Sequence, residues 1–311
     1  MYFADPKNDL AFKKIFGDEN KKEILISLLN AILDFQNDKL IVDVTIANPY
    51  QVPKIPDLKE TILDIKAKNK NGDEFIVEMQ KKHLGDFAKR SLYYTSKAYI
   101  SQLSKGADYS KLNKIYFIGI VDFSMFEGEE FISRHLILNK ETLKQELSDF
   151  EFTFIELKKF NKELNELQST LEKWIYFIKN ANNLTIIPTQ FKDIQEFKEA
   201  FEIASQYNWD TKELEIYDYM TLKAYDEVNA LKTAEGKGEA RGEIRGEIRG
   251  EIRGEARGEA RGEARGEARG LEKGREEEKL AIAKNLLDIL DNATIALKTG
   301  LSEERIESLR R

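Results

Sequence analysis

The sequence predicts an α/β fold, a mixed sheet flanked by helices, followed by an all-helical extension. Three observations predict it. Apolar residues recur at three-and-four spacing near the start, β-rich runs surround a hairpin turn, and a continuous apolar strand returns after an intervening helix.

The elements follow in order. "NDLAFKKIFGDENKKEILISLLNAIL" places Leu10, Phe12, Ile15 and Phe16, then Ile24, Leu25, Leu28, Leu29 and Ile32, on the faces of two amphipathic helices broken near Gly17. "LIVDVTIANPY", "TILDIKAK" and "EFIVEMQ" are strand runs, the last two joined by the turn composition "NKNGD". "DFAKRSLYYTSKAYISQLSKG" reads as a helix with Asp86 as N-cap and Gly106 just past its end, and "KIYFIGIVDF" as a strand buried on both faces. "RHLILN" and "EFTFIEL" extend the sheet, and residues 159–233 read as helical throughout.

Residues 238–269 are eight uninterrupted copies of Gly-Glu-(Ala/Ile)-Arg. On a helix this unit sets Glu above Glu and Arg above Arg at every i,i+4 step, and each Gly costs about 1 kcal/mol against Ala. An isolated helix is therefore expected to be poor. Two readings stay open: a flexible charge-balanced spacer, or a helix stabilised by a second chain whose backbone approaches along the Gly row. The tail, "KLAIAKNLLDILDNATIALKTGLSEERIESLRR", recovers helical periodicity and carries Ser302 as an N-cap, the shape of a small helix-turn-helix or dimerisation segment. The expected organisation is a domain over 1–158, a helical region over 159–233, a repeat stalk or linker over 234–276 and a helical segment over 277–311.

Composition, with 41% hydrophobic and 34% charged residues, reads as an ordinary soluble protein. Without cysteine there is no disulfide, thiolate nucleophile or cysteine-ligated zinc. The first residues lack the pattern of a secretory leader and no apolar run suits a bilayer, so a cytoplasmic protein without membrane contact is expected. The net charge of −7 is uneven: residues 1–120 hold 19 Lys and Arg against 16 Asp and Glu. The acidity lies in the remainder, and the N-terminal part need not repel a polyanion.

The chemistry concentrates in "ILDIKAKNKNGDEFIVEMQ", residues 62–80. Alternation puts Ile76, Glu78 and Gln80 on one face of their strand, and Asp64 on the face of Ile62 and Lys66. Two carboxylates converging among apolar residues repel each other, and a hard divalent cation is the simplest remedy. Convergence depends on register. A two-residue loop at Asn71-Gly72 pairs Lys70 with Asp73 and sends Asp64 and Glu78 to opposite faces, so the reading requires an odd-length loop or a bulge between residues 67 and 76. Half-exposed acids facing water are the alternative.

Asp64, then Glu78-x-Gln80 fourteen residues on, after "LAFKKIFG" and before "RSLYY" and "GADYSKL", resembles the PD-(D/E)XK nuclease superfamily. Within it the closest resemblance is to the Rpn group of recombination-promoting nucleases, also labelled transposases, over roughly residues 5–125. "GLSEERIESL" is similar to tails in that group. The resemblance implies a restriction-endonuclease-like core and cleavage of DNA phosphodiesters with one or two Mg2+ ions. Asp64 and Glu78 would hold the metal, with the Met79 carbonyl as an extra ligand. Gln80 stands where the superfamily usually has Lys; its amide can orient a water but cannot neutralise charge. Lys66 is one candidate for the missing cation, and Asp9 for a further acid unless it caps its helix. Arg90, Tyr94 and Lys97 share a helical face suited to DNA phosphate, and Lys82 lies beside it at the strand exit.

The expected function is thus a Mg2+-dependent DNA endonuclease of low sequence specificity, tied to recombination by the group's name, and a homo-oligomer through the repeat and tail. The alternative is a catalytically weak or inactive DNA-binding or oligomeric scaffold on a nuclease-like fold.

Overall fold

The computed structural model describes residues 2–48, 50–51, 61–82, 85–104 and 106–311. Helices α1 (Asp9–Phe16) and α2 (Lys22–Leu33) are followed by strands β1 (Val44–Ala47), β2 (Tyr50–Gln51), β3 (Thr61–Ile62), β4 (Ile65–Asn69) and β5 (Glu74–Gln80). Helix α3 (Phe87–Ser101) leads to β6 (Ile115–Val121), β7 (Ile132–Leu136) and β8 (Phe150–Glu156). Six strands form one sheet in the order β1-β4-β5-β6-β8-β7, while β2 and β3 pair separately. The sheet is mixed: β5, β6 and β8 run parallel, and β1, β4 and β7 pair antiparallel to their neighbours.

Every residue of β6 is buried because helices cover both of its faces, which explains its continuous apolar run. Phe75, Val77, Tyr116 and Ile118 point into a large core shared with α1 and α2, and Ile76 and Phe117 point to a second core under α3 with Phe87 and Ala98. Glu74, Glu78 and Gln80 share the face of Ile76. Asp86 precedes α3 in a left-handed conformation (φ 50°) but its side chain caps no backbone N–H, contrary to the sequence expectation; it pairs with Lys89 instead.

The β4–β5 turn decides the site. Its loop is Lys70-Asn71-Gly72: the Asn69 N–H donates to the Asp73 carbonyl at 3.1 Å, and Gly72 adopts φ 91°. A three-residue loop closing on a left-handed residue is a standard hairpin solution, and glycine adopts that conformation without steric cost. Paired residues are then Ile65 with Val77 and Lys68 with Glu74, the even register that Asp64 and Glu78 require to meet.

The helices after residue 158 do not stand apart. In α4 (Thr170–Asn180) and α6 (Gln195–Ala204), Trp174, Phe177, Phe197 and Phe201 join the core built on α1 and α2. Trp174 stacks on Phe197 at 3.9 Å and meets Phe16 edge-on at 5.6 Å. Between α4 and α6 lies the short α5 (Thr189–Lys192). The first compact unit therefore runs to Tyr225 rather than ending at 158, and the second is Asp226–Arg311.

Helix α7 (Thr211–Leu286) begins in the first unit and continues through the whole repeat. The repeat is helical, against the flexible-spacer reading, and each of its residues is exposed. In the second unit, Ala283 of α7, Ile295 of α8 (Asn292–Thr299) and Ile306 of α9 (Glu303–Arg310) form a small core. Asp291 and Ser302 cap α8 and α9. Among the described residues no helix is long and apolar enough to cross a membrane.

Candidate active site

Asp64 occupies a bend between β3 and β4. Leu63 before it belongs to the core under α3, Ile65 after it to the opposite core, so the chain turns over at the aspartate. The bend brings its carboxylate against the edge of β5. Asp64 Oδ2 accepts the Met79 N–H at 2.9 Å, and Glu78 Oε1 accepts the Asp64 N–H at 3.1 Å. Glu78 thus holds the backbone of Asp64, and Asp64 the backbone of the residue after Glu78, so two hydrogen bonds fix the spacing of the carboxylates.

Both acids are desolvated. Burial pushes Asp64 above its ordinary range, against the hydrogen bond from Met79 and the charge of Lys13; Asp9 adds to the rise. Burial, then the Asp64 charge, raises Glu78 to about 8. At neutral pH the pair carries less than its full negative charge and holds a proton that a cation could replace.

Three sequence-predicted partners gather here. Arg90, at the start of α3, donates from Nη2 to Gln80 Oε1 at 2.5 Å, and the Gln80 amide donates to the Lys82 carbonyl at 3.1 Å. Tyr94 follows one turn later; burial raises its hydroxyl, and the charges of Arg90, Glu78 and Asp64 all reach it. Asp9 opens α1 close enough for its charge to act on Asp64, and the cap of that helix is Asn8, whose side chain accepts the Leu10 N–H. Lys97 lies on α3 beyond Tyr94 and is partly buried.

Lys66 does not join the site. It pairs with the buried Glu74 at 3.0 Å, since its cross-strand partner is Ile76 and Glu74 lies on the same face two residues before that partner. The lysine at the carboxylates is Lys13, whose Nζ lies 3.4 Å from Asp64 Oδ1. Sequence reasoning missed it, although Asp9 and Lys13 stand four apart on one helix face. Helix α1 is held in place from several sides: the Asp5 N–H donates to the Tyr217 hydroxyl at 2.8 Å, Lys81 pairs with Asp5 at 2.8 Å, and Lys14 pairs with Glu213.

A model of the PD-(D/E)XK nuclease family transposases matches residues 6–234. The chain belongs to that family. Comparison with curated proteins and with solved structures gives no match. Three residues separate the end of the family segment from the first repeat unit at Gly238, so the repeat and tail lie outside it. In this PD-(D/E)XK chain the matched span contains the two desolvated acids that meet beside β5, Asp64 and Glu78, and Gln80 two residues on.

A divalent cation fits the donor set. Among the described residues no group of three or more Asp, Glu or His side chains assembles, which leaves two carboxylates and backbone as donors. The Met79 N–H faces Asp64, and a strand residue directs its N–H and C=O to the same side, so the Met79 carbonyl faces that way too. Oxygen donors with uncompensated charge suit Mg2+, which keeps several waters and takes few protein ligands.

Proposed function

We propose that this PD-(D/E)XK family chain is a Mg2+-dependent DNA endonuclease of low sequence specificity acting in the cytoplasm, in DNA transactions of the recombination or transposition kind. The observation that supports it best is the meeting of two desolvated carboxylates, Asp64 and Glu78, with Lys13 paired to only one of them. Asp64, Glu78 and the Met79 carbonyl would hold one or two ions. A bound ion would lower the pKa of a water and stabilise charge on the phosphoryl and leaving oxygens.

The chain's own residues do the rest. Asp64 and Glu78, buried at the strand edge, keep bulk water from the reacting phosphate. Lys13, displaced from Asp64 when a cation shares that carboxylate, becomes available to a phosphate oxygen. Tyr94, Lys97 and Lys82 contact the DNA backbone and carry no sequence information, which accounts for low specificity.

Gln80 favours a second reading, in which the chain is a weak or inactive DNA-binding scaffold. Plasmid nicking with Mg2+, with EDTA and with Asp64→Ala separates the two. Nicking that depends on metal and on Asp64 supports the endonuclease; binding without nicking supports the scaffold.

The repeat supports self-association less directly. With every residue exposed, one chain offers its glycines no compensating burial. A four-residue unit advances about 40° per copy around a helix of 3.6 residues per turn. Over eight copies the Gly row winds nearly once around α7, so paired stalks would need a right-handed supercoil to keep it in contact. Sedimentation of the full chain tests this: a dimer or larger species supports it, and a monomer returns the repeat to a helical spacer.

A further inference from the structure

The lysine usual in the superfamily brings a positive charge to the reacting phosphate, and Gln80 cannot. Two cations lie near enough to replace it, and their placements differ. Lys13 sits directly on Asp64 Oδ1, an oxygen that a shared metal would occupy, and its side chain is 41% exposed. Arg90 is bound to neither carboxylate. Its guanidinium lies over the Phe87 ring at 5.1 Å and near the Tyr94 ring at 6.0 Å, and one nitrogen is docked on Gln80. Among the described residues it has no ion pair, and its Nε is buried without a hydrogen-bond partner.

The Gln80 amide has a defined orientation: its nitrogen donates to the Lys82 carbonyl, which leaves its oxygen toward Arg90. A neutral carbonyl acceptor holds a guanidinium without neutralising it, whereas a carboxylate there would cancel the charge. The aromatic ring beneath favours a cation stripped of water. A charged group so fixed, with donors to spare, suits an oxyanion more than a structural role.

Resting on the endonuclease reading, we propose that Arg90 is the catalytic cation that stands in for the missing lysine, with Gln80 as its positioning residue. Arg90 donates to a non-bridging oxygen of the scissile phosphate as a water oxygen forms its bond to phosphorus and gives its proton to solvent, while the leaving oxygen departs with the electron pair of the broken P–O bond and takes a proton from solvent.

The test combines rescue with a binding readout. Arg90→Gln should lower single-turnover plasmid cleavage by about a hundredfold or more, the loss typical of one oxyanion donor. Arg90→Lys should keep an intermediate rate. The double variant Arg90→Gln with Gln80→Lys, which restores the usual lysine, should recover at least about tenfold over Arg90→Gln. A merely structural arginine would not be rescued that way, and a double variant no faster than the single one overturns the proposal. Independently of cleavage, the salt dependence of duplex DNA binding, read by fluorescence anisotropy without metal, should lose about 0.9 of its log–log slope in Arg90→Gln but not in Ile248→Ala on the stalk. An unchanged slope in Arg90→Gln also overturns it. If the intact chain binds DNA but cleaves nothing, the endonuclease reading fails alone, and the slope still decides whether Arg90 meets phosphate.

Discussion

Glycine divides the first unit from the repeat. Gly119 of β6 lies beside Glu78 in the register, and a Cβ there would come within 2.8 Å of the Phe154 ring and 3.0 Å of Phe87. In the repeat, a Cβ on any glycine from Gly238 to Gly270 meets nothing within 4 Å. The same residue type is a packing necessity in one region and an uncompensated helix weakness in the other. One unit owes its structure to burial, and the repeat to a helical backbone with no packing around it.

That contrast is broken most severely at the site. Asp64→Ala or Glu78→Ala removes a donor for several kcal/mol of transition-state stabilisation, about a thousandfold in nicking rate. Deleting four repeat units, Gly238–Arg253, should leave the nicking rate per site within a factor of about two, since the residues proposed for the site all belong to the first unit. Equal loss in both variants would erase the distinction.

Stability comes next. Trp174→Ala in the aromatic core should cost about 3–5 kcal/mol, read from the urea midpoint, whereas Ile248→Ala on the exposed stalk should change stability by less than about 0.5 kcal/mol.

The pH response on the alkaline side should come from the first unit. Glu78 titrates near 8 in the folded chain against an ordinary 4.5, so the folded state binds the extra proton. Stability of the metal-free protein is then fully present below about 4.5 and falls as pH rises through about 8, by an amount on the order of a few kcal/mol. Urea titrations at several pH values check this. Glu78→Gln should flatten the slope, and Mg2+ should restore stability at the alkaline end by taking the proton's place.

The smallest effects carry opposite signs. Gly119→Ala should destabilise by about 1–3 kcal/mol through overpacking. Gly250→Ala should instead stabilise the stalk helix by up to about 1 kcal/mol and raise its helical circular dichroism. The same sign at both positions would show that the repeat glycines are packed against something, as in a self-associated stalk.

Much of the fold was legible because its signals are local. Phe12 and Phe16, the alternation of β5 and the apolar run of β6 each report burial through their own period. Asp64 and Glu78 stood out as candidates within nineteen residues of chain, but whether they meet depended on a loop length that the composition of the turn left open. The membership of the helices after residue 158 was not legible, since only contact shows that Trp174 and Phe201 fill the same core as Phe16.

By itself, then, the sequence determined the helices and strands of the first unit in outline and the fourteen-residue spacing of the two acids; the turn in the structure decided the parity that lets them meet. Periodicity and turn chemistry act over a few residues, so they can be read along the chain. Only the tertiary structure decided which cations reach those acids. Lys66 was drawn to Glu74, Lys13 came to Asp64 from α1, and Arg90 docked on Gln80 from α3. Charge interactions act through space between elements distant in sequence, and which of several lysines and arginines arrives depends on how those elements pack.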